Sequence, residues 1–119
     1  MNKDNAVVVK SKAFALRIIK LYKMLDQQHE HVLSKQMLRS GTSIGANVKE
    51  AIRGQSRADF FSKLNIALKE ASETEYWLEL LYESGYIDSE AAYQSIYKDC
   101  QELISILVAI TKAQSQSTL

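Results

Sequence analysis

The stretch RSGTSIGANVKEA, residues 39–51, decides the fold. Its two glycines, a Thr-Ser pair and a lysine also occur in phosphate-binding loops, so two interpretations compete. A P-loop requires Gly-x4-Gly-Lys-Ser/Thr after a β-strand. Here Gly41 and Gly45 enclose three residues, and Ala46 follows where the lysine would stand. The preceding residues 33–40 already have helical periodicity, so we interpret the stretch as part of a helix.

The periodicity around this stretch predicts an amphipathic helix over residues 32–53. At 100° per residue, seven small or apolar residues fall on one side: Leu33, Met37, Gly41, Ile44, Val48, Ala51 and Ile52. Polar, basic and small residues fall on the other side: Lys35, Arg39, Thr42, Ala46, Lys49 and Arg53. We expect the first side to face the core and the second to face solvent.

The glycine pair predicts a close helix contact. Gly41 and Gly45 lie one turn apart, and each glycine costs about 1 kcal/mol of helix propensity. Close approach of another backbone offsets that cost, and we expect it from the third helix or from another subunit. Ser43 and Asn47 line an adjacent strip with Ser40, and we expect them to hydrogen-bond across the same contact.

Three further helices follow from the same periodicity, over residues 6–28, 56–84 and 89–113, with a polar tail beyond. Ser56 is a good N-cap and Gly85 a good C-terminal stop. In the third helix, either Thr74 or Glu75 fills one position of the apolar stripe. The expected core stripe of that helix otherwise contains Phe60, Leu64, Ala67, Leu68, Ala71, Leu78 and Leu81.

Length and composition favour a single domain spanning residues 1–119. The chain contains no proline and only four glycines, which disfavours a many-turned β architecture. Four helices with short connections predict an all-α fold, an antiparallel up-down-up-down four-helix bundle. Ile106, Val108 and Ala109 add apolar surface beyond the core stripe of the fourth helix, which indicates a second contact surface.

Charge is unevenly distributed along the chain. Residues 1–69 contain 13 Lys/Arg and five Asp/Glu, whereas residues 70–119 contain two Lys/Arg and nine Asp/Glu. Either basic and acidic helices attract one another inside the fold, or a basic surface faces an anionic partner. The candidate phosphate contacts are Lys35, Arg39, Lys49, Arg53, Arg57 and Lys63. In the competing interpretation, Glu73 and Glu75 form structural ion pairs with Arg39, Arg53 or Arg57.

Catalytic and metal-binding patterns are weak. Cys100 lies on an apolar stripe without a histidine nearby in sequence, which is typical of a buried structural thiol. His29 and His31 would hold a metal only with ligands from elsewhere. We therefore predict no enzyme, no catalytic residues, no cofactor and no metal. A single cysteine, no apolar run long enough for a membrane span and no recognisable signal peptide predict a cytoplasmic protein without membrane association.

A family resemblance rests on QMLRSGTSIGANVKEAIRGQSRADFFSKLNIALKEASETEYWLELLYESGYI, residues 36–87. This segment resembles the bacterial four-helix-bundle family of 23S rRNA intervening sequence proteins, which is related to the accessory variability protein of diversity-generating retroelements. The matching positions are Arg39, Ser43, Ile44, Asn47, Glu50, Gly54, Ser56, Phe60, Ala67, Leu68, Glu73 and Glu75. Family members often carry proline at the position of Gly45, and AEG in place of KEAIRG.

The resemblance implies a ring-like homopentamer, and its retroelement relative works with a reverse transcriptase and binds nucleic acid through a basic surface. We therefore expect a non-catalytic homopentamer that binds RNA or DNA through a basic face. The alternative is a structural assembly or a scaffold for a protein partner, such as a reverse transcriptase, without nucleic-acid binding of its own.

Overall fold

The computed structural model describes the backbone of residues 3–117 and the side-chain surroundings of residues 6–113. It contains the four predicted helices: α1 (Lys3–Gln27), α2 (Leu33–Ile52), α3 (Arg57–Glu83) and α4 (Glu90–Ser117). α4 continues to Ser117, past the predicted helix end at about residue 113, because no glycine or proline stops it there. None of the four helices has, in its described part, an apolar stretch long enough to cross a membrane.

Each helix packs against two neighbours, and each adjacent pair is antiparallel. Helices α1 and α3 both contact α2 and α4. Along α2, Ser40 meets Thr74 whereas Glu50 meets Lys63, so the partner number falls as the α2 number rises. Contacts between α1 and α4 show the same reversal. The result is a four-helix bundle with extents of 49 × 22 × 22 Å.

The core consists of one apolar stripe from each helix, as the periodicity predicts. Its largest fully buried side chains are Phe14, Ile18, Leu25, Met37, Ile44, Leu64, Leu78, Leu81, Leu103 and Leu107. In α3, Phe61 is buried whereas the predicted Phe60 is only half-buried. Ile52 was also predicted in the core, but it is 50% exposed, because α2 ends at this residue.

Thr74, not Glu75, fills the polar position in the α3 stripe. Its hydroxyl shares a 2.7 Å hydrogen bond with that of Ser40 on α2, and it also donates to the Glu70 carbonyl. Both hydroxyls are fully buried. Since each polar atom has a partner, this pair avoids the cost of an unsatisfied buried group.

The two glycines of α2 pack against α1, not against α3. A Cβ added to Gly41 would lie 2.9 Å from both Cγ1 and Cγ2 of Ile18. At Gly45 the nearest atom would be the Ser11 carbonyl oxygen, at 3.4 Å. The glycines therefore do allow close helix packing, as predicted. The predicted partner, α3, is wrong within the chain, because α2 turns its Gly41 side towards α1.

Ser43 and Asn47 do not hydrogen-bond across this contact. The Ser43 hydroxyl donates to the Arg39 carbonyl, and the Asn47 amide donates to the Ser43 carbonyl. Both side chains are thus bound to the backbone of their own helix, a usual arrangement for short polar side chains. The prediction of bridging bonds at this strip is therefore wrong for Ser43 and Asn47, whereas Ser40 does bond across a helix contact, to Thr74 of α3.

The turn between α1 and α2 places a carboxylate at the start of α2. Two residues after the end of α1, His29 adopts the left-handed region at φ 65°, and the Glu30 N–H donates to the Leu25 carbonyl. The Glu30 carboxylate then accepts from the backbone N–H groups of Val32, Leu33 and Ser34, at 3.3, 2.9 and 2.6 Å. Glu30 therefore caps α2, because Val32 at the N-cap position provides no side-chain bond.

We expect His29→Gly to stabilise the bundle by about 0.5 kcal/mol, because glycine adopts positive φ without steric cost but loses more chain entropy on folding. Urea unfolding followed by circular dichroism measures the change. Gln28→Gly, one residue earlier at a position without positive φ, should be destabilising. Equal effects at the two positions would contradict this explanation.

Candidate nucleic-acid interface

The candidate cations of α2 are all exposed, but they do not form one patch. Lys35 lies in the first turn of α2 and Arg53 immediately follows its last residue. A rise of about 1.5 Å per residue separates them by about 27 Å along the helix axis. The predicted stripe therefore divides into two pairs, each one helical turn apart: Lys35 with Arg39 near the start of α2, and Lys49 with Arg53 at its end.

Arg39 is held by two carboxylates of α3. Its guanidinium donates to Glu70 at 2.9 Å and to Glu73. The Trp77 indole N–H also donates to Glu73, at 2.9 Å. The Trp77 bond, opposed by partial burial and supported by Arg39, holds the pKa of Glu73 below its ordinary value of 4.5. Arg39 thus joins α2 to α3, and its charge is compensated within the fold.

Glu75 was predicted as a second partner of these arginines, and that prediction is wrong. Among the side chains of residues 6–113, none forms an ion pair with Glu75. Glu75 lies towards α4: burial first, and then the charge of Glu75, raises the pKa of the Cys100 thiol to about 12. Glu70, which sequence reasoning missed, takes the second position beside Arg39. Its spacing of three residues from Glu73 places both carboxylates on one edge of α3.

Arg57 and Lys63 also have partners near the start of α3. The Lys63 ammonium lies 3.5 Å from the Glu50 carboxylate of α2. The Arg57 guanidinium lies over the Phe61 ring, 4.9 Å from its centroid, within the range of a cation–π interaction. Both side chains therefore take part in interactions within the chain, which makes them weaker candidates for phosphate contact.

Lys49 and Arg53 share a groove with Lys12 of α1, a residue that sequence reasoning missed. We call these three residues the basic cluster. Over residues 6–113, none of the three forms an ion pair or a side-chain hydrogen bond. Lys12 falls on the flank of α1 between Val8 and Ala15, which face α2. Periodicity places it on that flank, but only the packing of the two helices shows which cations lie opposite.

The α1–α2 groove runs between these two helices and has a volume of about 500 Å³. All three residues of the basic cluster line it. A shallower depression continues from Lys49 and Arg53 across the start of α3, and it includes Lys63 together with the carboxylates Glu50 and Asp59. No carboxylate lines the groove itself among the described residues. The α1–α2 groove therefore presents positive charge on an exposed surface, whereas the adjoining depression carries charges of both signs.

Two comparisons with known proteins find similar proteins that cover nearly the whole chain. A family model described as 23S rRNA-intervening sequence protein matches residues 3–109. A crystal structure of a protein of unknown function from the S23 ribosomal protein family of Bacteroides thetaiotaomicron is 59% identical, with a TM-score of 0.90. That match covers 93% of this chain and 99% of the other. No curated protein matches the chain.

Proposed function

The chain belongs to the family of 23S rRNA-intervening sequence proteins, and from this premise we propose that it is a non-catalytic homo-oligomer that binds RNA or DNA through the basic cluster. The observation that carries the proposal is that Lys12, Lys49 and Arg53 converge from two helices without a carboxylate partner in residues 6–113. Uncompensated cations keep their full attraction for phosphate, which dominates the affinity of proteins for nucleic acids. Arg39, by contrast, would have to leave two carboxylates first.

Homo-oligomerisation makes a small basic cluster effective. One cluster of three cations contacts few phosphates and binds weakly at physiological salt. Several clusters on one assembly would bind a single long strand by avidity. We propose a homopentamer, as the family resemblance implies, so that five symmetric clusters act together.

The distribution of charge and apolar surface supports a ring. Residues 1–56, which contain α1 and α2, have ten Lys/Arg and four Asp/Glu. Residues 57–119, which contain α3 and α4, have five Lys/Arg and ten Asp/Glu. A ring requires two different surfaces that complement each other on each subunit, and in the proposed ring the charges left unpaired within each half would face a neighbouring subunit. Apolar side chains exposed on α1 and α4, namely Val9, Leu16 and Val108, supply area for such contacts.

A non-catalytic role is part of the proposal. Cys100 is the only cysteine of the chain, and its buried thiol has a pKa raised to about 12, so it stays protonated at neutral pH. A protonated, buried thiol is a poor nucleophile. The proposal therefore gives Cys100 no role as a nucleophile and assigns the protein binding and assembly.

The test combines a solution mass with a binding titration. Analytical ultracentrifugation should give about five times the chain mass of 13.5 kDa. Fluorescently labelled RNA and duplex DNA should bind at low salt, and log affinity should fall linearly with log salt concentration. Absence of binding at low salt would reject the nucleic-acid proposal and favour the scaffold alternative. A monomer would reject the ring and the avidity that depends on it.

A further inference from the structure

The floor of the α1–α2 groove is aliphatic, which contact with phosphate does not require. Val8 and Ala15 of α1 lie opposite Ala46, Val48 and Ile52 of α2. Val8 remains 40% exposed and Ile52 50% exposed, so apolar surface is open to solvent inside the groove. An exposed apolar groove with a polar rim is a common sign of a binding site.

Small residues create the concavity. Gly45 has no side chain, and Ala15 and Ala46 have only a methyl group, so a gap stays open above the line where α1 meets α2. The groove volume of about 500 Å³ lies within the range of roughly 300–1,000 Å³ typical of small-molecule sites. Its length is bounded on α2 by Thr42 and Arg53, a separation of about 16 Å at the usual helical rise.

The rim fixes the charge of the occupant. Lys12 lies on the α1 side, and Lys49 and Arg53 lie one turn apart on the α2 side. With no carboxylate among the described lining residues, the groove attracts anions and repels cations. An occupant that satisfies both features has an apolar body and an anionic end.

We propose that the α1–α2 groove binds a free single-chain alkyl carboxylate, with the chain on the aliphatic floor and the carboxylate at the basic cluster. Each methylene group that is buried strengthens such a complex by about fourfold in affinity, and the cations orient the head group. This binding does not depend on the proposed function. One consequence does rest on it, because the ligand and nucleic acid use the same cations and therefore compete.

Isothermal titration calorimetry with decanoate tests the proposal. We expect saturable binding, one decanoate per chain, to the wild type. Ala46→Leu fills the groove without changing charge, at an exposed helical position that tolerates leucine, and should weaken binding at least tenfold. Ala13→Leu is the matched control, since Ala13 is exposed on α1 outside the groove, and it should bind as the wild type does. Lys49→Gln should weaken binding about threefold or more.

Several results would overturn the proposal. Unsaturable decanoate binding, or equal affinity in the two leucine variants, would show association without a site. Binding of anionic vesicles without binding of decanoate would indicate a bilayer surface instead. Unchanged decanoate affinity together with a lower solution mass for Ala46→Leu would show that a second copy covers the groove.

A separate measurement distinguishes failure of this inference from failure of the proposed function. Ala46→Leu retains all three cations of the basic cluster, so labelled RNA should still bind to it, while decanoate should displace RNA only from the wild type. If the wild type binds decanoate but not RNA, the proposed function is rejected and the inference about the groove is not. RNA bound to the wild type and not displaced by saturating decanoate would contradict a shared site.

Discussion

Replacing Gly41 with alanine should lower the free energy of unfolding by about 2 kcal/mol, although alanine is the better helix former by about 1 kcal/mol. The added Cβ would lie 2.9 Å from two carbons of Ile18, closer than carbon atoms approach in proteins. Ile18 is fully buried and β-branched, so it cannot rotate away without strain. Relief therefore requires α1 and α2 to separate. Urea denaturation measures the change.

Gly45→Ala is the matched control, one turn further along α2. Its Cβ would meet its nearest atom at 3.4 Å, an ordinary contact. The gain in helix propensity then dominates, and we expect stabilisation by about 0.5–1 kcal/mol. In an Ile18→Ala background, Gly41→Ala should lose most of its cost. Stabilisation by Gly41→Ala as large as that by Gly45→Ala would contradict the packing explanation.

Replacing Glu30 with alanine should cost about 2–3 kcal/mol of unfolding free energy. The carboxylate accepts three backbone N–H groups at the start of α2 and is only 6% exposed. Its removal leaves those donors without a side-chain partner, and hydrogen bonds to charged groups contribute more than neutral ones. Gln28→Ala, an exposed position in the same turn, should change stability by less than about 0.5 kcal/mol. Equal losses in the two variants would contradict the capping role.

The same carboxylate predicts a pH dependence. Burial opposes ionisation of Glu30, but the donors of Leu33, Ser34 and Val32 outweigh it and hold its pKa below 4.5. Because the folded pKa is the lower one, this contribution is fully present above about pH 4.5 and is lost as pH falls through the folded pKa. Unfolding free energies measured from pH 7 down to pH 3 should therefore fall more steeply for the wild type than for Glu30→Gln. Parallel curves would contradict this assignment.

Helix number, helix order and most of the core could be predicted from the sequence. The apolar residues of a buried stripe recur with the helical period, and this pattern can be recognised without knowing which helices pack together. Where two adjacent residues competed for one position, periodicity alone did not decide. Thr74 occupies the α3 stripe because Ser40 offers its hydroxyl across the contact, and this choice depends on how α2 and α3 align.

The candidate site could be predicted only in part, for the same reason. Lys49 and Arg53 stood out as exposed cations of one helix, but their neighbour Lys12 belongs to another helix. Compensation of Arg39 by Glu70 and Glu73 likewise depends on the alignment of α2 with α3. Charge counts show that anions and cations are available, whereas packing determines which of them meet.

The most direct test of the central claim compares two triple variants that remove the same charge. Lys12→Gln, Lys49→Gln and Arg53→Gln together remove the basic cluster. Lys10→Gln, Arg17→Gln and Arg39→Gln together remove three cations that already pair with carboxylates. For each variant, with its folding checked by thermal unfolding, RNA affinity is measured across a salt series. We predict at least tenfold weaker binding and a shallower salt dependence for the first variant only, while equal losses in both, or a larger loss in the second, would contradict the basic cluster as the site of contact.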